Sequence, residues 1–140
     1  MIQSRFAFLV AFTLVLLACA SGAQRRQMEE VELAVYSKHA GEPIDQIRSF
    51  RFISWQPVSD NTLLLEARLN DWYLITVSGP CMNLPFAHTI AFETHINTLQ
   101  ARFDSIRVEG EPVPCRIETI RPVDVKAVKA ELKQRQAVAE

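Results

Sequence analysis

The chain has 140 residues, enough for one globular domain and too few for two. Its 22% charged residues sum to a formal charge of −1, with no basic block and no interleaving of basic with aromatic residues, so nucleic acid has no electrostatic footprint here. The 49% hydrophobic content is inflated by one end of the chain, and that end says where the protein goes.

Met1–Arg5 carries a lone positive charge, positions 6–17 are almost unbroken apolar, and small residues follow from Ala18 to Ala23. That order reads as a secretory signal peptide. A spanning helix needs about 20 apolar residues, more than this run supplies. Leu16-Leu17-Ala18-Cys19 resembles a bacterial lipobox, making 1–19 the signal and Cys19 the lipidated first residue, although Leu17 departs from the small or β-branched residue preferred there. The rival site is Ser21-Gly22-Ala23, which would release a soluble chain from Gln24. Lipidation is the reading taken forward. It supplies more than one acyl chain, enough for stable anchoring, and implies an exported periplasmic protein held at the outer membrane. Either cleavage removes Arg5, taking the charge from −1 to −2.

Removing Cys19 from the three cysteines leaves Cys81 and Cys115, an even pair in an oxidising compartment. A disulfide between them closes a loop of about 35 residues, restricting the unfolded chain by roughly 3–4 kcal/mol.

The domain is expected over 28–124. Met28, Val31 and Val35 repeat at helical spacing, with acids early, Lys38 and His39 late, and Gly41 as a stop. From Ser49 the apolar period becomes two. Strands are predicted over 50–55, closed by Pro57, then 62–67, 72–78 and 89–94, with the segment 81–86 irregular. Across 98–108 the alternation slips by one residue at Asp104-Ser105, which demands a bulge or a break. Asp104 suits backbone hydrogen bonding at that slip. The last strand is 115–120, and 125–140 is a helical or disordered tail, solvated on most of its surface, with a thin stripe of Val125, Val128 and Leu132. The sum is a mainly β fold: a small barrel or sandwich of six to seven short strands, an N-terminal amphipathic helix and a C-terminal helical tail.

Chemistry is sparse. His39, His88 and His95 lack metal-ligand spacing, so no metal or cofactor is expected. No nucleophile elbow and no phosphate-cradling glycine loop occurs among four glycines. Trp55, Trp72, Tyr73 and Phe103 are the candidates for lining a ligand groove, against the plainer reading as core and strand-pair residues.

Several runs together resemble a family of small exported proteobacterial proteins, often lipoproteins, described as a domain of unknown function. They are Ala40-Gly41-Glu42-Pro43-Ile44-Asp45, Trp55, Tyr73-Leu74, Gly79-Pro80-Cys81, Ala101-Arg102-Phe103-Asp104, Cys115-Arg116-Ile117 and Ile120-Arg121-Pro122-Val123-Asp124. The resemblance covers 31–124. It implies an envelope location, agrees with a Cys81–Cys115 bond, and implies no activity or catalytic residue.

The expected function is therefore a non-catalytic binding or scaffolding module of the bacterial envelope, engaging another envelope protein or an envelope component. The alternative is a periplasmic carrier of a lipid or small ligand, with Trp55, Trp72 and Phe103 lining an apolar barrel interior. A third reading, an envelope hydrolase, would need Glu93, His95 and Asp104 to converge.

Overall fold

Strands form where β-branched and aromatic residues cluster between turn residues. The computed structural model describes residues 22–79 and 81–139; the expected signal segment, with Cys19, lies outside them, as does Pro80. The chain divides into two units, residues 1–31 and residues 32–140. The described part of the first is helical and carries an Arg25–Glu29 ion pair one turn apart.

The second unit is mainly β. Helix α1 (22–38) ends in it, followed by β1 (Gln46–Arg48), β2 (Ser54–Ser59), β3 (Thr62–Arg68), β4 (Asp71–Ser78), β5 (Ile90–Glu93), β6 (Thr98–Gln100), β7 (Ser105–Val108), β8 (Cys115–Pro122) and α2 (Val125–Ala139). Six antiparallel strands in the order β2-β3-β4-β8-β7-β5 curl into a half-barrel, and β1 pairs with β6 in a separate two-stranded sheet. Register shifts in three pairings, at Pro57/Ser59, Glu66/Arg68 and Thr76/Val77, mark the bulges that bend the sheet.

Alternation sorts the side chains. Leu63, Leu65, Ile75, Ile106, Ile117 and Ile120 fill the concave side, and β1 and β6 add Ile47 and Leu99. Leu64 and Leu74 point the other way, where Val35 and Tyr36 of α1 and Val125 and Val128 of α2 cover them. Two buried faces explain why Leu63-Leu64-Leu65 reads as a continuous apolar run rather than an alternation.

Strand bounds differ from the sequence reading at two places. The strand expected at 50–55 begins at Ser54 and continues through Pro57. Because β2 is an edge, the proline's missing N–H removes no ladder bond. The slip near Asp104 is a full break: β6 ends at Gln100, the chain turns with Arg102 at φ 69°, and β7 starts at Ser105. Asp104 holds that turn, its buried carboxylate accepting the Gln100 N–H at 2.7 Å.

The runs at 40–45 and 120–124 meet at a second joint. Gly41 N–H donates to Pro122 O at 2.8 Å, and Ile44 N–H donates to Ile120 O at 2.8 Å. A Cβ on Gly41 would stand 3.2 Å from Pro122 Cγ, a tight contact that the proline ring would have to yield to by a few tenths of an ångström. Arg121 reaches across and donates to Gly41 O (2.8 Å), Ala40 O (3.1 Å) and Ser37 O (3.3 Å), capping the C-terminal end of α1. Asp124 then opens α2, its carboxylate accepting the N–H groups of Lys126 and Ala127 at 3.0 and 3.1 Å.

Candidate functional site

The helices cover the convex face over β2, β3 and β4. Farther along the sheet that face carries a polar row in register: Glu93 opposite Ser105, Ser105 opposite Arg116, Arg116 opposite Ser78. Four strands contribute one residue each because their neighbours Phe92, Ile106, Cys115 and Val77 turn inward to the core. Two loops wall this row into a groove of about 820 Å³, within the usual range for ligand pockets.

Local chemistry fixes both walls. The Cys81–Cys115 disulfide ties the loop after β4 to the start of β8. Gly110, at φ 83°, turns the chain after β7, and the Asn83 N–H donates to Glu111 Oε1 at 2.7 Å, joining one wall to the other. Met82 and Val113 stand exposed on the two walls.

Charge along the floor is uneven. Glu93 is ion-paired with Arg107, whereas Arg116 on the floor and Glu111 on the wall have no ionic partner among the described residues, Glu111 accepting the neutral Asn83 N–H. An unpaired guanidinium beside two serine hydroxyls, between walls that expose Met82 and Val113, suits a ligand that presents acceptor oxygens and an apolar flank. Neither Ser78 nor Ser105 has a histidine or lysine within hydrogen-bond distance among the described residues, and Ser78 instead faces Arg116 O at 3.5 Å.

The four aromatic candidates do not share this groove or any other single one, although Trp72 and Tyr73 both border a depression beside His39 and Asp124. Trp55 and Tyr73 pack on the concave core, in register on either side of Leu65. Trp72 packs on the opposite cluster beneath the helices. Phe103, 80% exposed, borders a small surface depression with Asp45 and Arg102. Of Glu93, His95 and Asp104, two meet: His95 Nδ1 lies 3.4 Å from Asp104 Oδ1, while Glu93 is engaged by Arg107. Among the described residues no three His, Cys, Asp or Glu side chains are grouped to hold a metal ion, and no helix is long and apolar enough to cross a membrane.

One further polar cluster escaped the sequence reading. Glu131 of α2 accepts from Lys38 at 2.8 Å and Arg135 at 2.8 Å, and lies 2.7 Å from His39 Nε2. Hydrogen bonds from Lys38, then Arg135, then His39 pull its carboxyl down to about 2. This cluster pins α2 to the end of α1. Arg116 and the groove were also missed, although Arg116 and Glu118 alternating with Cys115, Ile117 and Ile120 mark an exposed face of β8.

No curated protein and no solved structure matches the chain. One family profile does, a family of unknown function (DUF6491), and it spans residues 2–139. A match over nearly the whole length makes the chain a member of the DUF6491 family.

Proposed function

We propose that this protein is an exported bacterial envelope lipoprotein, anchored through Cys19, that works as a non-catalytic binding module with the groove over β4, β5, β7 and β8 as its contact surface. The groove carries the reading, because its floor combines an unpaired cation with hydroxyls and its walls expose Met82 and Val113 beside one carboxylate, Glu111. Packing favours surface binding over carriage inside the barrel: Leu63, Leu65, Ile75, Leu99, Ile106 and Ile117 fill the concave side. The disulfide agrees with an oxidising compartment.

The test is native mass spectrometry of the protein purified from the envelope, as wild type and as R116E. The expected result is a stoichiometric companion on the wild type that is lost from R116E, with both proteins melting alike. A companion retained by R116E, or a wild type that is consistently empty, overturns the reading.

A further inference from the structure

A different rim of the second unit carries several exposed apolar residues. The β5–β6 connection is a two-residue turn, with Thr98 N–H donating to His95 O, and Ile96 and Asn97 at φ 48° and 52°. Turns of that geometry favour asparagine or glycine, and a β-branched residue at positive φ is an outlier. Ile96 is nevertheless 95% exposed, so no packing within the described chain compensates its conformation.

Contacts place three more apolar residues beside it. Phe50 N–H donates to Asn97 O at 2.7 Å, and the rings of Phe50 and Phe52 lie 5.2 and 5.3 Å from that of Phe92. The same extended segment reaches the end of β3, where Arg51 N–H meets Ala67 O and Ile53 N–H meets Glu66 O. Phe52 and Ile53 are each nearly half exposed, and Leu69, at the tip of the β3–β4 turn two residues beyond Ala67, is 79% exposed.

The charges on this rim sum to a positive excess, two arginines without ionic partners against the one carboxylate of Glu66. Arg68 is paired with Asp71. Glu66 accepts from Ser54 and from the Asn70 N–H, whereas Arg48 and Arg51 are exposed and without ionic partners among the described residues. Apolar tips beside free arginines are the complement of a bilayer surface that carries anionic headgroups over acyl chains.

We propose that the rim formed by Phe52, Ile53, Leu69 and Ile96, with Arg48 and Arg51, docks the domain on an anionic lipid surface. Ile96 and Leu69 enter the headgroup–acyl boundary, and the two arginines pair with lipid phosphates. The proposal does not depend on the groove.

Brominated acyl chains quench tryptophan at short range, which reports on the rim even in a full chain held near the bilayer by its N-terminus. I96W, L69W and V113W are prepared in the full chain, the last at the opposite end of β7 as a reference. Each is mixed with vesicles of brominated phosphatidylglycerol or of brominated phosphatidylcholine, against wild-type emission from Trp55 and Trp72. The expected result is quenching of I96W and L69W by phosphatidylglycerol, little by phosphatidylcholine and none at V113W. Adding R48Q and R51Q to I96W should abolish it. The proposal is overturned if I96W and L69W stay bright, if V113W is quenched equally, or if the arginine changes leave quenching intact. A lipid-free dimer that I96S dissociates would also overturn it by assigning the face to a second copy.

Discussion

Replacing Arg121 by methionine keeps the stem of the side chain and removes the guanidinium. The carbonyls of Ala40 and Gly41, at the end of α1, then lose this donor, and that of Ser37 keeps only the Ala40 N–H at 3.4 Å. A hydrogen bond to a charged group contributes about 1.5–3 kcal/mol when its partner is left unsatisfied. The Gly41 contact is exposed and its carbonyl rehydrates, so the three do not simply add. The expected loss for R121M is about 2–3 kcal/mol, a fall in Tm of roughly 6–15 °C for a domain of this size. R121K keeps the charge at the helix end, worth about 0.3–1 kcal/mol, but not the fork that reaches several carbonyls. It should fall between wild type and R121M. Urea titration followed by circular dichroism measures both, with an unchanged m-value as the sign that only stability has moved. An R121M protein within about 0.5 kcal/mol of wild type would refute the claim that this side chain joins α1 to the sheet.

Three other perturbations separate the remaining joints. C81A/C115A should lose about 3–4 kcal/mol in urea titration under oxidising conditions, and a double variant as stable as wild type would mean the bond does not restrain the fold. Glu131 has a folded-state pKa of about 2 against an ordinary 4.5, so its contribution is complete above 4.5 and is lost as pH falls toward 2. Melting E131Q across that window should show a flatter acid limb than wild type, and parallel curves would contradict the clamp. I96N should raise thermal stability by about 0.5–1 kcal/mol in lipid-free buffer, because asparagine tolerates the turn's positive φ; a lower Tm would show that Ile96 packs within the chain.

Much of the architecture was legible before the structure because one physical signal controls it. The apolar run at Tyr73–Val77 and the alternation at Cys115–Glu118, punctuated by Gly, Pro and Asn, locate strands without any tertiary information. The cysteine count identifies the pair for the same reason: only two remain after Cys19. Short pieces were less visible. β1 has three residues, and its pairing with β6 depends on two segments about 50 positions apart, which no local pattern reveals. Pro57 looked like a strand end because its tolerance depends on β2 being an edge, a property of the assembled sheet.

The candidate site was harder still. The groove row takes one residue from each of four strands, so Glu93, Ser105, Arg116 and Ser78 have no sequence spacing in common. Aromatic residues attracted attention because of their chemistry, yet Trp72 and Tyr73, being adjacent in a strand, must face opposite sides. The motif runs also changed meaning once folded. Gly41, Arg121 and Pro122 form one joint and Asp104 holds another, so those residues are explained by architecture.

The most direct test of the binding role is site-specific photo-crosslinking in living cells, with the reactive residue at Met82 or Val113 in the groove walls and at Lys133 on the exposed side of α2. The account predicts a discrete adduct to an envelope component from Met82 and Val113 and none from Lys133. No adduct from the groove walls, or the same adducts from all three positions, would contradict it.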